Sequence, residues 1–165
     1  MTSLLPVLTF AAALGSGIMA GFFYTFSNVV MGSLARVPAP AGIAAMQSIN
    51  IVVQNPVFFL LFFGTALLSL ILIAMAAMGY ATGGTGVLVA GGAVYLVTVI
   101  GVTIFFNVPM NNALAATDPS SAAGAELWAD YLQRWTMWNH VRTIGNVAAL
   151  ALFLLALMRQ AEAGA

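Results

Sequence analysis

The stretch WADYLQRWTMWNHVRTIGN, residues 128–146, contains all three tryptophans, the only histidine and two of the four arginines of the chain. It continues directly into VAALALFLLALM, residues 147–158, in which no side chain is polar. Polar groups beside an apolar span are costly to expose to lipid, so they usually face a bundle interior or a water-filled cavity. We therefore expect one helix that enters a membrane and carries functional groups at its start.

Helical periodicity divides this stretch into two sides. One stripe, aromatic at its start and polar at its end, comprises Trp128, Trp135, Asn139, Arg142 and Asn146. His140 lies two residues before Arg142 and therefore about 200° away around the helix. Since both side chains cannot point squarely at the centre of a bundle, we expect the stripe with Arg142 to form the inner wall.

The composition is that of an integral membrane protein. Hydrophobic residues make up 62% of the 165 residues and charged residues only 5%, against roughly 25% charged in a soluble domain. The net charge is zero, so the basic surface that nucleic-acid binding requires is missing. The chain has no cysteine, which excludes disulfides, iron–sulfur clusters and thiolate metal sites.

Four apolar stretches predict an all-α, integral membrane four-helix bundle in a single transmembrane domain over residues 1–165. The predicted spans cover residues 4–31, 57–78, 87–106 and 137–158. The first run has no positively charged start and is too long for a cleaved signal peptide, so we interpret it as a span. Arginines in the first and third loops favour the cytoplasmic side for those loops, and we expect location in a bacterial inner (plasma) membrane.

An additional amphipathic helix is predicted over residues 42–54, before the second span. Gln47, Asn50 and Gln54 are spaced i, i+3, i+7 among apolar neighbours. Two interpretations remain open for this amide stripe: an interfacial helix whose amides face water, or a helix whose amides line a site.

Two further span ends carry polar groups. Tyr24 and Asn28 lie on one side of the first span, and Asn107, Asn111 and Asn112 follow the third span in FFNVPMNNAL. One asparagine is explained by capping of the helix end, but three in six residues exceed that need. Because four antiparallel spans bring these ends and the start of the last span to one membrane face, we expect them to converge there.

The chemistry of the charged groups has alternatives. Arg142 either binds an anionic group, pairs with Asp130 or Glu126, or extends to lipid headgroups beside a tryptophan belt. His140 either acts as a general base, since the ordinary pKa of histidine is about 6.5, or is satisfied by a backbone carbonyl. A protein-built metal site would have to combine this one histidine with amide or carboxylate oxygens.

The aromatic residues also permit two interpretations. They form a belt at the membrane interface, or they form the flat wall of a pocket for an aromatic or isoprenoid ligand. The residues concerned are Trp128, Tyr131, Trp135 and Trp138.

Taken in order, four segments resemble a family of small bacterial and fungal membrane proteins that includes the anthrone oxygenases. The segments are GFFYTFSNVVMGSL, MQSINIVVQNP, FFNVPMNNAL and WADYLQRWTMWNHVRT, of which NVPMNN and W-x2-W-N-H-x-R-T are the most specific. The resemblance implies a four-helix membrane bundle and, for the fungal relatives, oxidation of an anthrone to an anthraquinone with dioxygen. Carried over by position, it implies a site that contains Asn107, Asn111, Asn112, Trp135, Asn139, His140 and Arg142.

We therefore expect a membrane-embedded oxygenase that acts on an anthrone-like or other hydrophobic aromatic substrate. The expected catalytic residues are His140 as the base, with Arg142 and Asn107 stabilising an oxyanion. The expected substrate-binding residues are Tyr24, Gln47, Asn50, Asn111, Asn112, Trp135, Trp138 and Asn139. Two alternatives remain for the cofactor: the protein uses none, or it holds a metal through His140.

The alternative is a non-enzymatic membrane protein that binds a lipid, a quinone or a partner helix in a polar cavity at one membrane face. The low charge and the lack of a strong catalytic motif favour this non-enzymatic alternative. The expected partners are a hydrophobic small molecule or lipid and the bilayer, with homo-oligomerisation left open and nucleic acid excluded.

Overall fold

The computed structural model describes residues 4–81 and 83–164, and this part of the chain contains helices and no strand. Its helices are α1 (Leu4–Leu34), α2 (Ala39–Val52), α3 (Pro56–Ala77), α4 (Thr85–Ala115) and α5 (Ala122–Gly164). Among them, α1, α3, α4 and α5 are long and apolar enough to cross a membrane. The all-α class with four membrane spans is thus confirmed, whereas the choice of a bacterial inner membrane stays a prediction.

The four long helices pack in the cyclic order α1, α3, α4, α5, and the most extensive contact is between α1 and α5. Their shared core is apolar and includes Leu72, Leu88 and Phe153, each fully buried. The one phenol in this core, Tyr95, donates its hydroxyl hydrogen to the Phe62 carbonyl at 2.9 Å, so its polar atom is satisfied.

Close approach of the helices depends on glycine at two positions. A Cβ added to Gly15 of α1 would overlap the hydroxyl of Thr65 on α3, and one added to Gly145 of α5 would overlap the hydroxyl of Thr98 on α4. Small residues at such points let two backbones approach, and much of the stability of membrane bundles comes from this packing.

The short helix α2 folds back over one end of the bundle. Its Ile43 and Met46 are fully buried in a second apolar cluster with residues of α4 and α5. Gln47 donates from Nε2 to the carbonyls of Leu114 (2.8 Å) and Thr117 (3.0 Å), which connects α2 to the end of α4 and the residues after it. The helix itself is present, while its amphipathic character stays a prediction.

Helix α4 is longer than the sequence indicates. The third span was expected to end at Phe106, but the helix continues to Ala115. Two π-helical segments, Leu96–Gly101 and Thr103–Asn107, precede its last part. Pro109 then occupies the first turn of the following α-helical segment, where the missing N–H of proline is tolerated.

The loop between α4 and α5 is closed by its own hydrogen bonds. The Ser120 backbone N–H and hydroxyl donate to Asp118 Oδ1 at 2.9 and 2.7 Å. These two bonds, the backbone one first, lower the pKa of the exposed Asp118 carboxyl, because they stabilise its charged form. The acid therefore has partners within its own loop.

Candidate functional site

A cavity of about 510 Å³ lies where all five helices meet at one end of the bundle. Its volume is within the roughly 300–1,000 Å³ of small-molecule sites. Aromatic rings form much of its wall, namely Phe22, Phe23, Phe26, Phe58, Phe59, Phe62, Phe63 and Trp135. A cavity with such a wall suits a flat, apolar ring system.

The phenylalanines reach the cavity because of their helical spacing. On α3, Phe58 and Phe62 are four residues apart and stack at 5.4 Å between ring centroids, with 14° between their planes. On α1, Phe22 contacts Phe26 at 5.0 Å and also the ring of Phe58 at 5.4 Å. The rings of the two helices thus form one continuous surface.

Arg142 contributes a positive charge to this aromatic cavity. Its side chain is only 5% exposed, and its guanidinium carbon lies 4.3 Å from the Phe23 ring centroid and 5.1 Å from that of Trp135. Both contacts are within the range of cation–π attraction. The inward-facing interpretation of Arg142 therefore fits the structure, and extension to headgroups does not.

Neutral acceptors hold the guanidinium in place. Nη2 donates to Asn139 Oδ1 at 2.7 Å and Nη1 donates to Thr103 Oγ1 at 3.3 Å. Nε has no hydrogen-bond partner in the described part of the chain. The group therefore keeps a free donor although it is buried.

No carboxylate of the described chain balances the charge of Arg142. The four acidic residues are all exposed, namely Asp118, Glu126, Asp130 and Glu162. In the part of the chain that the structure covers, the one ion pair joins Arg134 to Asp130 at 3.3 Å on the surface. The alternative in which Arg142 pairs with Asp130 or Glu126 is therefore wrong. A buried, unbalanced cation favours the binding of an anion.

Asn139 connects Arg142 to α1. Its Nδ2 donates to the Phe23 carbonyl and to Ser27 Oγ, both at 2.7 Å. Ser27 belongs to a π-helical turn, Phe26–Val30, just as Thr103 belongs to one in α4. Such turns often occur at functional sites, and here each contains a side chain bonded to the Arg142–Asn139 pair.

Asparagines of α4 position the tryptophan of the cavity. Asn111 Oδ1 accepts from the Tyr131 hydroxyl and from Trp135 Nε1, both at 2.8 Å. The fully buried Asn107 donates from Nδ2 to the Trp135 carbonyl at 3.3 Å. The expected contact between the NVPMNN segment and the last span is thus present.

Comparison with known proteins agrees with this architecture. Residues 58–152, more than half of the chain, match the family described as anthrone oxygenase. The chain belongs to the anthrone oxygenase family. The match includes Phe58, Asn111, Trp135 and Arg142, whereas α1 and α2 precede it. Comparisons with curated proteins and with solved structures found no match.

The structure of this anthrone oxygenase family member brings together most of the residues expected at the site. Six line the cavity, namely Gln47, Asn50, Asn111, Asn112, Trp135 and Arg142. Asn107 and Asn139 are buried behind that wall, where they make the hydrogen bonds described above. All three amides of the predicted stripe line the cavity, where Gln47 also bonds to carbonyls at the end of α4 and Gln54, just beyond α2, bonds to the Asn50 carbonyl.

Three expected site residues lie outside the cavity. His140 is exposed, because it lies two positions before the inward-facing Arg142 and therefore on the other side of the helix. Tyr24 is 57% exposed. Trp138 stacks on Phe106 with 3.6 Å between ring centroids and is not among the lining residues.

Sequence reasoning missed the phenylalanines and Thr103. Trp128 and Tyr131 were candidates for the pocket wall, but they are buried in the apolar cluster beneath α2. The signal for the actual wall was the two phenylalanine-rich segments, FFYTF at 22–26 and FFLLFF at 58–63. Thr103 gave no signal, because its role depends on the π-helical geometry of α4.

The polar groups of the cavity wall are amides, the Thr103 hydroxyl, the indole N–H of Trp135 and the Arg142 guanidinium. Within residues 4–81 and 83–164, no three His, Asp or Glu side chains come together as metal ligands would. The arrangement thus offers hydrogen bonds and positive charge to an anion beside aromatic rings.

Proposed function

We propose that this protein is a membrane-embedded oxygenase that oxidises an anthrone-like polycyclic substrate with dioxygen. The observation that carries the proposal is the buried Arg142 guanidinium, which has no carboxylate partner and faces a cavity walled by aromatic rings. Membership of the anthrone oxygenase family supports the same reaction class.

The charge of Arg142 suits the first step of this reaction. An anthrone is a ketone whose methylene group lies between two aromatic rings, so loss of one methylene proton gives an extended enolate with negative charge on oxygen. A guanidinium beside that oxygen stabilises the enolate more than the neutral ketone. The free Nε and the two Nη groups of Arg142 supply hydrogen-bond donors for that oxygen.

The aromatic wall suits the rest of the substrate. Flat rings pack against phenylalanine and tryptophan through dispersion and offset stacking. In this arrangement the substrate oxygen points to Arg142 and the rings lie among Phe23, Phe58 and Trp135. Asn111 keeps the Trp135 indole in place, which fixes the plane against which the substrate lies.

The oxidation then balances without a further reductant. The enolate carbon gives electrons to dioxygen and forms a carbon–oxygen bond, and the resulting peroxide anion takes up a proton. Loss of the second methylene proton breaks the oxygen–oxygen bond and releases water. One oxygen atom of dioxygen thus becomes the new quinone carbonyl and the other leaves in water.

The first proton goes to water in this proposal. No carboxylate or imidazole is among the residues that line the cavity, and His140 lies outside it. The protein therefore acts by lowering the free energy of the enolate and by orienting it, rather than by a positioned side-chain base.

The test is oxygen consumption by purified protein in lipid nanodiscs supplied with an anthrone. We expect Arg142→Met to lower kcat/KM by roughly 100-fold, the scale of losing an oxyanion donor, because methionine keeps bulk and removes the charge. His140→Ala is the matched control on the same helix and should stay within about twofold of wild type. Equal rates for the wild type and Arg142→Met would contradict the proposal.

The second candidate is a non-enzymatic protein that holds a quinone or an anionic lipid in the same cavity. The lack of an acid–base side chain among the lining residues favours it. The two candidates separate in the same assay, since a binding protein retains the ligand and consumes no oxygen.

A further inference from the structure

A second cavity, of about 460 Å³, lies beside the first between α1, α2 and the start of α3. Ten of its twelve lining residues are apolar, and the other two are Ser48 and Asn55. Both polar groups of the Asn55 side chain are used locally, since Oδ1 accepts from the Phe58 N–H and Nδ2 donates to the Val52 carbonyl. This cavity therefore has no charged group to hold a reacting oxygen.

The two cavities are separated by side chains that line both. The shared residues are Phe22, Phe26, Ile49, Val53 and Phe58. Three of them carry rings, and that of Phe22 contacts the other two, at 5.0 Å from Phe26 and 5.4 Å from Phe58 between centroids. Each ring is only half-buried, so its side chain can change rotamer without movement of the backbone.

The second cavity also lies at the level of the apolar spans, and its lining residue Ile18 is 45% exposed. Ile18 of α1 and Leu61 of α3, two of its lining residues, lie within the apolar spans. An apolar polycyclic compound concentrates in the hydrocarbon layer rather than in water. One way from that layer to Arg142 leads through the second cavity and past the three rings.

We propose that the second cavity is the entrance through which a flat, apolar aromatic substrate passes from the bilayer to Arg142, and that Phe22, Phe26 and Phe58 form its gate. This inference rests on the proposed function for the identity of the substrate. It adds the route and the residues that control the rate of entry.

The chain has no cysteine, so a single introduced thiol tests the entrance. Ser48→Cys places the thiol in the second cavity only, and N-cyclohexylmaleimide then fills that cavity with an apolar group. We expect KM for an anthrone in nanodiscs to rise at least tenfold while kcat changes less than twofold. Ala35→Cys is the matched control, since Ala35 is exposed at the same end of the bundle and lines neither cavity.

A binding measurement separates this inference from the proposed function. In a Trp128→Phe/Trp138→Phe background, Trp135 of the first cavity is the only tryptophan, and added anthraquinone should quench its fluorescence. Alkylated Ser48→Cys should slow the quenching at least tenfold relative to alkylated Ala35→Cys. Slower quenching in a protein without oxygen consumption would support the entrance although the proposed reaction fails. Unchanged KM and unchanged quenching rate, or no quenching at all, would overturn the entrance.

Discussion

At the scale of single residues, Arg142 is held by a neutral acceptor where a carboxylate would be the usual partner of a buried cation. Asn139 Oδ1 accepts from Arg142 while Asn139 Nδ2 is bonded to α1. An amide fixes the guanidinium without cancelling its charge. The residual charge is then available to an anionic ligand.

Replacing Asn139 by aspartate changes the charge beside Arg142 while the size of the side chain stays nearly the same. Asn139→Asp should retain a folded protein of somewhat lower stability, because the new carboxylate pairs with Arg142 and differs little from asparagine in size, while the Phe23 carbonyl loses its donor. The same pairing should lower kcat/KM for an anthrone at least tenfold, since the anionic substrate now competes with Asp. Thermal unfolding and oxygen consumption on one preparation check both parts. An active Asn139→Asp protein would contradict the role given to the free charge.

Removing the amide altogether should destabilise the fold. Asn139→Leu leaves the Arg142 guanidinium without its shortest hydrogen bond and the Phe23 carbonyl without a donor. Unsatisfied buried polar groups cost about 1–3 kcal/mol each, so we expect the free energy of unfolding to fall by about 2 kcal/mol or more. Asn28→Leu is the control, because Asn28 is exposed and bonds only within its own helix. It should change stability by about 0.5 kcal/mol at most.

At the scale of helices, the contact between α4 and α5 depends on Gly145. The added Cβ of Gly145→Ala would overlap Thr98, so we expect a loss of about 1–3 kcal/mol, as for overpacking in a core. Gly32→Ala should leave the stability unchanged or raise it. Nothing lies within 4 Å of its added Cβ, and alanine is the better helix former by about 1 kcal/mol. Urea unfolding in detergent measures both, and equal effects of the two substitutions would contradict the close approach.

Sequence patterns predict the helices better than they predict the cavity wall. The stripe on α5 follows from helical periodicity alone, and it correctly places Trp135, Asn139 and Arg142 inside and His140 outside. Periodicity within one helix does not predict the aromatic wall of the cavity, because Phe22 of α1 and Phe58 of α3 meet only through the packing of two spans. The extension of α4 beyond the predicted span depends on local geometry, since a π-helical turn precedes Pro109 and the proline lies in the first turn of the α-helical segment that follows.

At the scale of the whole molecule, the positions of the few charged residues predict the orientation in a membrane. Arg36 and Arg134 lie toward the end of the bundle that holds the cavity, and Arg159 lies near the other end. The positive-inside tendency therefore predicts that the cavity end faces the cytoplasm. In intact bacteria that express the protein, Ala116→Cys should react with a membrane-impermeant maleimide only after permeabilisation. Tyr80→Cys, at the opposite end, should react without it, and the reverse pattern would invert the orientation.

In the proposed function, the whole site acts through one effect, in which a buried positive charge in an aromatic cavity stabilises the enolate of the bound substrate. Without oxygen the substrate cannot be oxidised, so the absorption spectrum of bound anthrone reports its ionisation directly. The decisive measurement is an anaerobic pH titration of anthrone bound to the wild type and to Arg142→Met. We expect the pKa of bound anthrone to be at least about one unit lower in the wild type than in Arg142→Met, equivalent to about 1.4 kcal/mol. Identical titrations in the two proteins would contradict it.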